Sequence, residues 1–288
     1  MKKLLWLLCV PLLANAQTFT DKVVMELKFE KPTNANNTLI VANINGSMKV
    51  QGYGGDKILI ESERTIKAKT DARLEQGKKE MQLKQIDRLD TLIVYVGGGC
   101  NHFSYENKKH RNGWGYHSNC DDGDCNSLYD YTFNFIVKVP KQINVEVSTV
   151  NEGNVIVENM KGTVKANNVN GAIKLTSLEG SASASTINGN VDIEYLRNPN
   201  KDCKYYSLNG DINAWFVKGL AANVSFKSFN GSLYTNVQNM EGLPALLEKK
   251  ESENGIKLKV NNNRYKIGNG GALQDFETFN GDVIVKER

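Results

Sequence analysis

The sequence is short of several things, and each shortage excludes something. It has 5 prolines in 288 residues, too few for stiff proline-rich linkers. It has 3 histidines, His102, His110 and His117, all within one stretch. No serine–histidine–aspartate arrangement can be assembled from them elsewhere in the chain, and no phosphate-cradling glycine loop is present. Beyond Ala16 no apolar run approaches the length that spans a bilayer, so no transmembrane helix is expected in the rest. Basic residues nowhere form a block, which argues against nucleic acid as a partner.

What is present is ordinary in bulk and unusual in pattern. Hydrophobic residues make up 40% and charged residues 24%, the balance of a folded globular chain. The segment Met1 to Ala16 has the order of a secretory leader, or signal peptide. Lys2 and Lys3 precede the apolar run Leu4 to Leu13, and Ala14-Asn15-Ala16 supplies the small-x-small cleavage pattern. Cleavage before Gln17 predicts an exported, periplasmic or secreted chain. Cys9 lies inside the apolar run, which argues against a lipid-anchored cysteine. Without the two leader lysines the basic count falls from 36 to 34 against 32 acids, a net charge of +2.

Glycine is plentiful, 25 in all, and much of it sits in a repeat. An apolar residue followed by Asn-Gly, or once Asn-Glu-Gly, recurs at Ile44, Val150, Val169, Ile187, Leu208, Phe229 and Phe279. From Gly153 the glycines are spaced 18, 18, 21, 21 and 50 apart. The second residue after each glycine is apolar: Met48, Val155, Ile173, Val191, Ile212, Leu233 and Val283. The fourth is mostly apolar too, and the residues between are mostly polar. A period of two means β-strands with one buried face. A second turn follows nine positions on, at Gly55, Gly162, Gly180 and Gly219.

Each unit, about 18–21 residues long, therefore predicts strand, turn, strand, turn. Its contour of about 60 Å suits one coil of a β-solenoid and is too short for a βαβ unit. The fold expected is all-β: a β-solenoid (β-helix) with apolar columns inside. Asparagine and glycine tolerate the left-handed conformation of tight corners, and stacked asparagines can form amide ladders. Thr70-Asp71 predicts a short helix to about Glu80, and residues 82–87 and 91–96 a hairpin around Arg88-Leu89-Asp90. A loop is expected at 97–127, a strand pair around Pro140, and a second insertion at 243–270 containing a strand from Ile256 to Val260.

These features resemble the bacterial putative-adhesin domain (domain of unknown function 4097). The residues carrying the resemblance are Leu39 to Gly46, the helix and hairpin at 70–96, Val137 to Lys141 leading into Val147 to Asn151, and Thr278 to Val283. It covers nearly all of 17–288, read as one domain, and implies a β-helical exported protein. The loop 97–127 departs from the family pattern, so anything distinctive is expected there.

That loop holds Cys100, Cys120 and Cys125, the three histidines, and the aromatics Phe103, Tyr105, Trp114 and Tyr116. In an oxidising compartment cysteines pair. Cys100, Cys120, Cys125 and Cys203 make an even set, so the loop is expected to be a disulfide-stapled cap with Cys203 as an anchor, and no cofactor is expected. The alternative is a metal site from His102, His110, His117, Cys100, Cys120 and Cys125, whose spacing matches no common zinc framework. Asp121-Asp122-Gly123-Asp124 lacks the closing glutamate of a calcium loop. The aromatics either cover one end of the solenoid or bind a surface glycan or envelope protein.

One outward acid pair, Asp192 and Asp211, would lie about 8 Å apart on adjacent coils, within the range of an inverting glycosidase. No third acid or arginine cluster accompanies it. The function expected is therefore a non-enzymatic exported β-solenoid presenting a binding or structural surface. The alternatives are a carbohydrate-active β-helix enzyme and a metal-binding envelope protein.

Overall fold

The computed structural model describes residues 17–30, 34–98, 101–108, 111–118, 128–252, 255–261 and 263–288. Among them the chain is almost wholly β. It opens with β1 (Gln17–Leu27), β2 (Thr38–Ala42), β3 (Met48–Tyr53) and β4 (Ile58–Ala68), then helix α1 (Asp71–Glu80). Thr70 caps this helix, its hydroxyl accepting from the Arg73 N–H. Two hairpins follow, β5 (Gln82–Asp87) with β6 (Thr91–Gly97), and β7 (Asn101–Lys108) with β8 (Arg111–Ser118). The second lies where a loop is expected. The alternation of Phe103 and Tyr105, then Trp114 and Tyr116, is the period-two signal that marks it.

Next come β9 (Tyr129–Pro140), β10 (Asn144–Ser148), β11 (Val155–Glu158), β12 (Val164–Asn167), β13 (Ile173–Leu178) and β14 (Ala182–Asn188). They are followed by β15 (Val191–Tyr195), β16 (Cys203–Asn209), β17 (Ile212–Phe216), β18 (Ala222–Lys227), β19 (Leu233–Thr235) and β20 (Met240–Gly242). The expected insertion at 243–270 contains a hairpin, β21 (Leu246–Ser252) with β22 (Gly255–Asn261), and then β23 (Arg264–Ile267). β24 (Leu273–Asn280) and β25 (Val283–Glu287) complete the chain.

Two large sheets hold most of these strands, and from β9 to β20 the chain passes alternately between them. One runs β1-β4-β9-β3-β11-β13-β15-β17-β25-β19; the other runs β20-β23-β18-β24-β16-β14-β12-β10-β2-β6-β5. From β9 to β19 and from β6 to β18 every neighbouring pair is parallel. Antiparallel strands close three of the four ends: β1 and β4 beside β9, β5 beside β6, and β23 with β20 beside β18. The order departs from the sequence in both sheets: β9 stands between β4 and β3, and β2 stands between β6 and β10. β24 and β25 slide between the pair β16–β17 and the pair β18–β19.

The apolar alternation faces inward as expected. Val155, Ile173, Val191, Ile212 and Val283 are fully buried in one register row, and Val157, Leu175, Ile193, Ala214 and Val285 in the next. On the facing sheet Val145, Val164 and Ala182 line up with Cys203 and Gln274, and Ala184 with Tyr205 and Phe276. Small alanines give way to stacked aromatics toward β24: Tyr205 on Phe276 at 4.9 Å and Tyr195 on Phe216 at 5.2 Å.

The corners explain the repeat. Each Asn-Gly asparagine donates its side-chain amide to the next, in the order Asn230, Asn280, Asn209, Asn188, Asn170, Asn151 and Asn45, at 2.8–3.2 Å. The glycines stack beside this ladder. A Cβ on Gly171 would stand 2.1 Å from the Gly153 carbonyl oxygen, so close approach of backbones, and not a positive φ, requires glycine there. The residue two before each asparagine completes the corner. Thr149, Asn168, Thr186, Ser207 and Thr278 donate to the carbonyls of Gly46, Gly153, Gly171, Gly189 and Gly210. The full motif is a polar donor, an apolar residue, then Asn-Gly.

Candidate functional site

The hairpin β7–β8 gathers the four aromatics singled out from the sequence. Its register sets Phe103 opposite Tyr116 and Tyr105 opposite Trp114, so alternation puts all four on one face. Phe103 stacks on Tyr95 of β6 at 4.7 Å and on Trp114 at 5.9 Å, and Tyr105 meets Trp114 edge-on at 5.6 Å. The Arg88 guanidinium, at the β5–β6 turn, lies 5.9 Å from the Trp114 ring centre, within cation–π range.

Tyr116 fastens this face to the body of the protein. Its hydroxyl lies 2.9 Å from the carbonyls of Ala42 and Val96, to which it can donate, and accepts from the Val96 N–H at 3.1 Å. Burial pushes its phenol pKa far up, so the hydroxyl stays protonated and able to donate. Tyr116 is thus an anchor, Phe103 and Trp114 are half-buried, and Tyr105 is 52% exposed. Tyr95 and Arg88 complete the cluster. Neither stands out in the sequence, because one lies in an ordinary strand and the other in a turn.

The cysteine expectation meets a correction at Cys203. It is a free, buried thiol. Its Sγ lies 3.4 Å from the Tyr195 hydroxyl, which sits 2.8 Å from that of Tyr205. Burial raises the pKa of both phenols. β16 stands five strands from β6, about 24 Å across the sheet, so Cys203 belongs to the core and not to a staple near β6. Its inward position in the row Cys203, Tyr205, Ser207 is the reason. Cys100, Cys120, Cys125 and His110 lie outside the described residues. His102 and His117 occupy opposed register positions on the hairpin. Among the described residues no three histidine, cysteine, aspartate or glutamate side chains form a metal-holding group.

The acid pair is absorbed by the framework. Asp192 Oδ1 accepts from the Asn213 amide at 2.8 Å, and Asp211 Oδ1 accepts from the Asp282 N–H at 2.9 Å. Asp211 belongs to a row of corner residues, with Asn154, Asn190 and Asp282, each accepting from a backbone N–H of the adjoining strand pair.

The structure adds a groove that sequence reasoning missed. It has a volume of about 640 Å³ and lies on the outer face of the first sheet, where the antiparallel strands meet β3 and β11. Ile136 and Ile156 line it, with Lys22, Lys49 and Glu61 among its polar residues. Lys22 and Glu61 pair at 2.8 Å; their hydrogen bond and mutual charge raise the lysine pKa and lower that of the glutamate. The available signal was an apolar residue at an outward position: Ile136 is 53% exposed between buried Phe135 and Val137.

No family model matches the chain, and no curated protein matches it. Among solved structures, a putative cell adhesion protein from Clostridium sporogenes aligns with 11% identity, covering 94% of this chain and 100% of that one, with a TM-score of 0.39. The resemblance to the domain of unknown function 4097 therefore rests on the sequence pattern.

Proposed function

We propose that the protein is an exported, non-enzymatic β-solenoid that presents a binding surface in the cell envelope, and that this surface is the aromatic face of the β7–β8 hairpin. The alternation of the chain between two parallel sheets, with near-constant spacing from Gly153 through Gly171 and Gly189 to Gly210, supports the solenoid reading. The leader-like segment Met1 to Ala16 supports export. No helix among the described residues is long and apolar enough to cross a membrane. The satisfied hydrogen bonds of Asp192 and Asp211 favour a structural role for them over a hydrolytic one.

One observation carries the binding assignment: Phe103, Trp114 and Tyr105 form a contiguous aromatic cluster backed by Tyr95 and Arg88, with Tyr105 half open to solvent. Rigid aromatic planes supply contact area at little entropic cost and serve both sugar faces and protein surfaces. The ligand class is a surface glycan or an envelope protein.

The test is a glycan array together with an envelope-protein binding screen, run on the parent and on Tyr105→Ala/Trp114→Ala. Binding is expected to fall at least about tenfold in the variant while its circular dichroism is unchanged. Undiminished binding by the variant would remove the hairpin from the site. Catalytic release of reducing ends from a polysaccharide by the parent would overturn the non-enzymatic reading.

A further inference from the structure

Four strands end the two large sheets, and they differ sharply. β1 has 11 residues, β5 has 6, and β19 and β20 have 3 each. β1 pairs with β4 along its whole length and, among the described residues, has no strand on its other side. An edge of this length exposes a row of unpaired N–H and C=O groups. Its outer face carries Thr18, Thr20, Lys22, Val24 and Glu26, and Val24 is 73% exposed. On its inner face Asp21 is held by the Arg64 guanidinium, so it presents no bare charge there.

We propose that β1 pairs antiparallel with β1 of a second copy, about a twofold axis through Val24. The register follows from charge. A continuous sheet requires outer residues to face outer residues, so the axis must pass through a residue and not between two. Centred on Asp21 it sets two aspartates together, and centred on Lys22 two lysines. Centred on Val23 it sets Lys22 against Val24 and Asp21 against Met25. Centred on Met25 it sets Lys22 against Lys28. Centred on Val24 it sets Lys22 against Glu26 of the second copy, twice, with Val24 on Val24 and Val23 on Met25.

The neighbouring strand strengthens this choice. Glu26 already accepts from Lys57, and Lys22 already donates to Glu61. In the Val24 register these pairs join end to end, giving Lys57, Glu26, then Lys22 and Glu61 of the second copy, with charges that alternate throughout. Charges on an edge strand ordinarily keep other strands away. Here they oppose like charges in the Asp21, Lys22 and Met25 registers, leave Lys22 unpaired in the Val23 register, and are complementary in the Val24 register.

Sedimentation velocity of the purified protein tests this. A concentration-dependent dimer is expected. Lys22→Glu places a carboxylate opposite Glu26 at both ends of the pairing and should weaken the dimer about tenfold or more. The double variant Lys22→Glu/Glu26→Lys restores opposite signs and should return the dissociation constant to within about threefold of the parent. Val24→Cys should oxidise to a covalent dimer. Thr20→Cys should not, since the two copies of residue 20 would stand about 27 Å apart. A protein monomeric at every concentration overturns the proposal. So does a dimer indifferent to Lys22→Glu, a Val24→Cys variant that never cross-links, or a monomer whose β1 edge instead captures a foreign strand.

Discussion

The strand pairs between Asn144 and Phe216 and the hairpin between Asn101 and Ser118 use the same alternation to different ends. In the strand pairs, inward residues are buried, most of them valine, isoleucine and alanine, and each corner is tied to the next by amides, hydroxyls and stacked glycine backbones. Every unit leans on two others, so its residues are constrained by register. In the hairpin, β7 and β8 pair with each other and, among the described residues, with neither large sheet. Tyr116, Phe103 and Arg88 attach it through side chains. The difference shows where the fold can vary: a stacked repeat fixes its own chemistry, while an appended hairpin is free to carry residues selected for recognition.

The comparison is broken most forcefully by charge. Val191 is fully buried between Ile173 and Ile212. Val191→Asp would leave an unpaired carboxylate there, and urea unfolding should show a loss of about 4 kcal/mol or more, or no folded protein. Tyr105→Asp in the hairpin should stay within about 0.5 kcal/mol. Equal damage from both would erase the distinction between the regions.

Glycine sharpens it at the next scale. A Cβ on Gly210 would lie 2.2 Å from the Gly189 carbonyl oxygen. Gly219 has φ +83°, and no atom of the described residues comes within 4 Å of where its Cβ would stand. Gly210→Ala is therefore expected to cost about 3 kcal/mol, since the adjoining backbone must move, and Gly219→Ala about 1 kcal/mol of conformational strain. Equal melting-temperature shifts would mean that corner conformation, and not backbone packing, makes glycine necessary.

Much of the framework is legible in the sequence because it depends on local chemistry. The alternation at Val191 and Ile193, the Asn-Gly corners, the Thr70 cap and the turn at Arg88 each state their own role. The order of the last strand pairs is not legible. Phe229-Asn230-Gly231 and Phe279-Asn280-Gly281 offer the same corner to Leu208-Asn209-Gly210, so nearest-neighbour chemistry does not choose between them. The corner hydroxyls escape a pattern that starts from Asn-Gly, although Thr186 and Ser207 stand two positions before their asparagines. Cysteine parity misleads at Cys203 because it weighs compartment and ignores an inward strand position. Of the candidate site, the four hairpin aromatics can be read directly. Tyr95, Arg88 and the groove at Ile136 cannot, since they depend on which strands meet.

The finest test deletes one hydroxyl in each region. The Thr186 hydroxyl donates to the Gly171 carbonyl at 2.9 Å and is fully buried. Thr186→Val keeps the shape and strands that carbonyl, so global stability should fall by about 1–2 kcal/mol. The Tyr116 hydroxyl serves Ala42 and Val96, but both belong to strands already paired on each side. Tyr116→Phe should therefore leave global unfolding within about 0.5 kcal/mol while loosening the hairpin by about 1 kcal/mol. Hydrogen exchange measures the split. Amides of residues 101–118 should exchange roughly fivefold faster in Tyr116→Phe, and those of residues 164–216 at the parent rate. If both sets accelerate together, the hairpin is a structural part of the stack, and its aromatics are there to cover it.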